Sequence, residues 1–230
     1  MNFVQHNSHL GWKFNKRAKP ILIDPGLYSV NKSQIFWVLK QRELPTAFKL
    51  YTGSAWTVLS RSFAEYTIVG WDNLPRTLLL YYTNFVSSPE FYFQTLICNS
   101  DEFKGTTVVN SDLHYISWDN PPKQHPRTLS LRDYRRMVSS NRPFARKFKQ
   151  NDPVLGRIDR QLLNRGPRQF AFGGWCSDDK DSLSGNKCAG LKWDRYGTLR
   201  PGPGSRRLRI ALNKLISSSP RRLEGIVCSW

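Results

Sequence analysis

The longest apolar stretch in this chain lies near residues 78–85. A helix that crosses a bilayer needs about 20 consecutive apolar residues, so no such span can be read here. Turn signals such as Lys19-Pro20 and Asp24-Pro25-Gly26 break the rest of the first part of the chain. Proline and glycine are the strongest local punctuation, and residues 1–33 read as irregular. The chain is therefore restricted to many short elements. Residues 35–39, 47–51, 56–60 and 113–117 read as strands. A helix is expected from about residue 61 to 68. Asp72 or Asn73 can cap another through residues 78–85. Ser87 or Ser88 can cap a third, with Pro89 in the first turn, where proline is favoured. Residues 130–139, 153–164 and 206–217 read as further helices, and 165–203 as loop-rich. This mixture predicts an α/β fold: a mixed sheet with flanking helices and a loop-rich C-terminal region.

Hydrophobic residues at 39% and aromatics at 13% supply enough material for a core, which excludes global disorder. The net charge of +18 first suggests a nucleic-acid or anionic-surface partner. Its placement argues otherwise. Residues 1–122 carry 11 Lys/Arg against 9 Asp/Glu, residues 123–150 carry 9 against 1, and residues 151–230 carry 15 against 7. The basicity begins at Lys123, and its cations alternate with Leu131, Tyr134, Met137 and Phe144. They belong to folded elements rather than to a low-complexity tail, so no nucleic-acid partner is expected.

Four cysteines are present. Cys176 and Cys188 flank a polar loop of Asp, Ser and Gly, which a disulfide can close in an oxidising compartment. A zinc reading of that pair is weaker, because CxxC spacing and a nearby histidine are missing. Cys98, in an apolar helix, reads as a buried thiol. Cys228 can pair or stay free. Asn31-Lys32-Ser33 is a lone N-glycosylation acceptor.

Two features can carry chemistry. Glu90, in Ser87-Ser88-Pro89-Glu90-Phe91-Tyr92-Phe93, is expected in the first turn of an aromatic helix, where the dipole favours an ionised carboxylate. Such a group either accepts a proton from a hydroxyl or simply complements the dipole. The cationic segment holds Pro143-Phe144-Ala145-Arg146-Lys147-Phe148, in which Phe144 and Phe148 are expected to anchor cations that meet a diphosphate. Its bland reading is a solvated basic face. Lys123 stands among stiff prolines in Trp118-Asp119-Asn120-Pro121-Pro122-Lys123-Gln124-His125-Pro126. Gly53-Ser54-Ala55-Trp56 is a small-residue turn that lets a substrate approach the backbone or is an ordinary tight turn. Trp71-Asp72 pairs an indole with a carboxylate, as does Trp118-Asp119. This combination suits a sugar, though Trp is equally a core residue. Asp179-Lys180-Asp181 looks like a metal-holding triplet but reads as a solvated turn. Gly202-Pro203-Gly204-Ser205 reads as a loop-to-helix junction.

Taken together, several segments resemble the plant branch of the core-2/I-branching N-acetylglucosaminyltransferase family. They are Ala18-Lys19-Pro20 to Asp24-Pro25-Gly26-Leu27-Tyr28, Phe48-Lys49-Leu50-Tyr51-Thr52-Gly53-Ser54-Ala55-Trp56, and Gly70-Trp71-Asp72-Asn73-Leu74-Pro75-Arg76-Thr77. Ser87-Ser88-Pro89-Glu90, Ser111-Asp112-Leu113-His114 to Pro126, Pro143 to Phe148, Gly173-Gly174-Trp175-Cys176 and Arg200-Pro201-Gly202-Pro203-Gly204 continue it. The resemblance implies an inverting glycosyltransferase of type A fold that moves a sugar, glucuronic acid by preference, from a UDP-sugar to a glycan such as arabinogalactan without a metal or other cofactor. It implies Glu90 as the catalytic base, with Lys147, Lys123 and Arg146 on the diphosphate. Gly53, Ser54, Trp56, Trp71 and Asp72 fall on the acceptor side. It further implies that residues 1–230 form the C-terminal portion of a single domain, with a nucleotide-binding half and a membrane anchor upstream and absent from this chain. The expected location is the lumenal side of the Golgi membrane. Phe91 and Gln94 stand where the resemblance leads one to expect glycine and histidine. The alternative is a catalytically inactive carbohydrate- or partner-binding remnant. In either case an apolar face left uncovered predicts poor solubility.

Overall fold

The computed structural model describes residues 1–22, 36–105, 107–123, 125–163, 166, 203–218 and 228. The chain divides into two compact units, Met1–Leu113 with Lys214–Trp230, and His114–Asn213.

In the first unit, strands β1 (Asn2–Phe3) and β2 (His6–Asn7) precede helix α1 (Gly11–Arg17). Residues 1–22 thus carry regular elements, against the irregular reading of that part of the chain. Strands β3 (Ile21–Leu22), β4 (Phe36–Trp37) and β5 (Thr52–Gly53) follow, then helices α2 (Arg61–Val69), α3 (Leu74–Tyr81) and α4 (Tyr92–Asn99), and strand β6 (Val108–Val109). β1 pairs in parallel with β6, while β2–β5 and β3–β4 are antiparallel.

The caps explain why α2 starts and stops where it does. Ser60 Oγ accepts from the Phe63 N–H, and Gly70 closes the helix at φ 60°, a left-handed conformation that glycine adopts without strain. At α3, Asn73 occupies the cap position but makes no side-chain cap bond. The Leu74 N–H is met by Asp72 Oδ1 at 3.1 Å instead. The core gathers Phe63, Tyr66, Leu78, Tyr82, Phe85, Phe91, Leu96 and Ile97, all buried.

Residues 47–51 do not form the expected strand. The backbone groups of Lys49 and Tyr51 are taken by side chains of α4. The Asn99 carboxamide accepts from the Lys49 N–H at 3.0 Å and donates to the Lys49 carbonyl at 2.8 Å. Thr95 Oγ1 lies 3.1 Å from the Tyr51 nitrogen and 3.2 Å from its carbonyl. A segment whose N–H and C=O groups are satisfied this way needs no ladder partner.

In the second unit, β7 (His114–Ile116) and β8 (Phe144–Arg146) pair in parallel, and the connection between them carries helix α5 (Tyr134–Ser139). Parallel neighbours require such a crossover. Before α5, residues Leu131–Asp133 form a 3₁₀ turn closed by a capping box between Ser130 and Asp133. Helix α6 (Pro153–Gln161) starts at an Asp152 cap. Leu129, Tyr134, Met137 and Val154 form the buried centre of this unit. Helix α7 (Pro203–Ser218) is the element within which the division between units falls. It begins at Pro203, so the Gly202-Pro203-Gly204-Ser205 junction runs into the helix itself.

The α/β expectation is met in its coarse form. The described residues carry four two-stranded sheets, however, rather than one mixed sheet. No described helix is long and apolar enough to cross a membrane. A further sequence expectation is overturned: Cys98, expected as a buried thiol, is joined to Cys228 across 130 residues. Cys98 is buried on α4, and Cys228 packs against the same core. Asn31, Cys176, Cys188 and the Asp179-Lys180-Asp181 triplet lie outside the described residues.

Candidate active site

Glu90 is not in the first turn of the aromatic helix. It closes a separate 3₁₀ turn, Ser88–Glu90, that precedes α4. Ser87 enters that turn with φ 57° and no side-chain cap. Its carbonyl accepts from the Glu90 N–H at 2.9 Å. Phe91 then breaks the helical course at φ −133°. Its ring is fully buried, 5.1 Å from Phe85 and 6.0 Å from Tyr82. Burying that ring sets the direction of the chain, so the helix signals around Pro89 produce a short turn and α4 begins afresh at Tyr92.

The Glu90 carboxylate is partly exposed, and Oε2 lies 3.2 Å from Lys13 Nζ of α1. This ammonium fixes the direction of the carboxylate. The Glu90 carbonyl accepts from Thr52 Oγ1 at 3.1 Å. Four residues after Glu90, Gln94 is fully buried and its Nε2 donates to the Ser54 carbonyl at 2.6 Å. The Gly53-Ser54 turn is thus fastened along the Glu90 turn and the start of α4. Gly53 is required there: a Cβ would stand 1.8 Å from the Gln5 carbonyl oxygen. The small-residue turn therefore serves a close approach of backbone to backbone. Ser54 Oγ also accepts from the Trp56 N–H at 3.2 Å, and the Trp56 ring is half exposed.

Trp71 and Asp72 sit at the corner between α2 and α3. The Trp71 ring lies 4.7 Å from that of Tyr66, and both Asp72 oxygens accept from the Tyr66 hydroxyl, at 3.0 and 2.8 Å. Burial and the nearby Asp72 carboxylate raise the Tyr66 pKa well above its usual value, so the phenol stays protonated and donates. Asp72 is thereby a fixed part of this corner, while half of Trp71 faces solvent.

In the second unit the predicted cations meet. Lys123, Lys147 and Lys149 line one open groove of about 450 Å³ together with Asp119, His125, Pro126, Arg127 and Thr128. Lys147 follows directly on β8, and its carbonyl accepts from the Leu129 N–H at 2.8 Å, which ties the two walls of the groove together. The i, i+2 spacing of Lys147 and Lys149 suits extended chain, where alternate residues share a face. Lys123 Nζ is 3.8 Å from Asp119 Oδ2 and largely solvated. Arg146 ends β8 opposite Ile116 and is not among the lining residues. Phe148 packs on the core as expected. Phe144, expected as the second anchor, is nearly half exposed and stacks on His114 at 5.2 Å.

Arg127 was missed in the sequence. Its guanidinium meets the carboxylate of Asp133 through two bonds, at 3.1 and 2.5 Å. Asp133 is buried, with 1% of its side chain exposed, and also accepts from the Ser130 N–H and from Arg136. These donors hold the Asp133 carboxyl below the usual carboxylate range, the Arg127 bond foremost. The same bond raises the pKa of Arg127, which therefore lines the groove as a permanent, immobile cation. The sequence signal was the spacing of Arg127 to a capping-box aspartate, Ser130 to Asp133.

A groove with several fixed cations binds phosphate-like anions, and a partly buried, oriented carboxylate can accept a proton. The comparisons agree with a transferase of sugars. Residues 1–138 match the Core-2/I-Branching enzyme family, and the chain belongs to that family. It is 57% identical over 218 residues to the beta-glucuronosyltransferase GlcAT14A of Arabidopsis thaliana, covering 95% of this chain and 48% of that protein. Beta-glucuronosyltransferase GlcAT14B of the same plant is 54% identical over 218 residues, covering 95% and 49%. Human xylosyltransferase 2 is 30% identical over 148 residues, 57% of this chain and 17% of that protein. The resemblance to the plant branch is therefore borne out, and the chain spans about half the length of the plant relatives it matches.

Proposed function

We propose that this chain is the catalytic portion of an inverting glycosyltransferase of type A fold that moves glucuronic acid from a UDP-sugar to a glycan acceptor such as arabinogalactan. Glu90 takes the proton of the acceptor hydroxyl as its oxygen attacks the anomeric carbon. The C–O bond to the diphosphate breaks in the same displacement, which inverts the centre. Lys147, Lys123 and Arg127 neutralise the departing UDP, in place of a divalent metal. Lys13 orients the Glu90 carboxylate. The turn at Gly53 and Ser54, with Trp56, Trp71 and Asp72, makes up the acceptor side. A Golgi lumenal setting accompanies this reading.

The observation that carries the proposal is the cationic groove in a member of this family: three lysines and a buttressed arginine in one cavity, of the charge a nucleoside diphosphate requires. Calorimetry with UDP tests it first. Lys147→Ala is expected to weaken UDP binding by about tenfold, or 1.4 kcal/mol. Glu90→Gln is expected to leave UDP binding intact and to lower transfer from UDP-glucuronic acid by about 10²–10⁴-fold. Transfer that survives Glu90→Gln overturns the base assignment. UDP binding unchanged in Lys147→Ala overturns the groove assignment. Binding with no turnover by the unsubstituted chain favours an inactive binding remnant instead.

A further inference from the structure

The side chains of His6, Cys98 and Cys228 converge within the first unit. Their sulfur and imidazole nitrogen atoms all lie within 4.8 Å of one another. His6 and Cys98 are buried. His6 Nε2 lies 3.9 Å from Cys228 Sγ. The other ring nitrogen, Nδ1, is 2.9 Å from the Val4 carbonyl. A carbonyl only accepts, so Nδ1 carries the proton and Nε2 presents its lone pair. The backbone of His6 is clamped as well: its N–H donates to Asn110 Oδ1 at 2.9 Å, and its carbonyl accepts from Asn110 Nδ2 at 3.1 Å. The imidazole is thus held at a fixed tautomer with its basic nitrogen toward the sulfurs.

We propose that the reduced form of this protein binds one zinc ion through Cys98 Sγ, Cys228 Sγ and His6 Nε2. Two thiolates and a neutral imidazole are a donor set that zinc takes, and an Nδ1–H bonded to a backbone carbonyl is the outer contact that orients a ligating histidine. A dithiol supplies the reduction: two electrons and two protons pass to the Cys98–Cys228 bond, which opens to two thiols as the dithiol closes to its own disulfide. Zinc then displaces both thiol protons. The dication and two thiolates sum to zero charge, which suits a buried site. Tetrahedral ligand distances of about 2.1–2.3 Å place the donor atoms about 3.6–3.8 Å from one another. The two sulfurs therefore move apart once their bond opens, while His6 Nε2, 3.9 Å from Cys228 Sγ, stays near its present distance. The fourth position falls to water. Disulfide and metal exclude each other, so zinc uptake would report the redox state of this crosslink. This inference is independent of sugar transfer.

The full chain, reduced with a dithiol, desalted and freed of metal, is titrated with cobalt(II) as a spectroscopic stand-in and then with zinc. Thiolate-to-cobalt charge-transfer absorption is expected at one equivalent, to vanish on zinc addition, and to be missing from the oxidised protein. It is expected to persist in Cys176→Ser/Cys188→Ser and to be lost in Cys98→Ser. His6→Gln is expected to bind at least about tenfold more weakly, the scale that even an outer-contact loss carries. In the unsubstituted protein, zinc is expected to shield Cys98 and Cys228 from alkylation, as mapped by mass spectrometry, which needs no variant to fold. Alkylation of both cysteines at an unchanged rate overturns the proposal, as does a cobalt spectrum that His6→Gln leaves unaltered.

Discussion

At the scale of single residues, Gly53 and Asp133 carry the sharpest consequences. Gly53→Ala forces a methyl group to 1.8 Å from the Gln5 carbonyl, so β2 and β5 must part. Thermal denaturation is expected to show a loss of about 3 kcal/mol, the upper end of overpacking costs. Asp133 is buried and its pKa is lowered. A carboxylate whose folded pKa lies below its unfolded value adds stability above the unfolded pKa, and that stability is lost as pH falls through the folded one. The second unit is therefore expected to weaken in acid, below the ordinary carboxylate range. In Asp133→Ala, urea denaturation is expected to lose that acid sensitivity and about 2–4 kcal/mol at neutral pH. The loss falls short of that for a fully buried pair because Arg127 retains contact with water.

At the scale of elements, what could be read in the sequence depended on how local the determinants were. The expected helix at 61–68 is α2, because Ser60 and Gly70 lie at its own ends. Helices α6 and α7 were likewise legible from Asp152-Pro153 and from the periodicity after residue 205. Residues 47–51 misled because Thr95 and Asn99, which hold their backbone, stand 44 and 50 residues away in the chain. The lysines of the groove were legible as cations, but Arg127 was not, because its role depends on a buried partner. Glu90 was found by residue type, whereas its 3₁₀ turn depends on the burial of Phe91. The outer surfaces of α2 and α3 leave Ile68, Val69, Leu79 and Leu80 more than 60% exposed. Exposed apolar side chains in such numbers promote association. Leu79→Lys with Leu80→Lys is expected to raise the solubility limit and leave the melting temperature within about 2 °C, as surface changes do.

At the scale of the whole molecule, the Cys98–Cys228 bond spans 130 residues, including every residue of the second unit. Closing a loop of that size restricts the unfolded chain, and removing such a crosslink typically costs about 2–5 kcal/mol. Cys98→Ala with Cys228→Ala is expected to show that loss in denaturant titration. An unchanged midpoint would mean that the cores of the two units suffice without it.

The same covalent closure has a consequence for proteolysis. A protease that cuts once between residues 99 and 227 breaks the backbone without releasing a fragment, because both products stay attached through sulfur. Trypsin finds abundant lysine and arginine targets in that interval. A clipped molecule is expected to migrate as one species on a non-reducing gel and to fall into two bands once a thiol reagent is added.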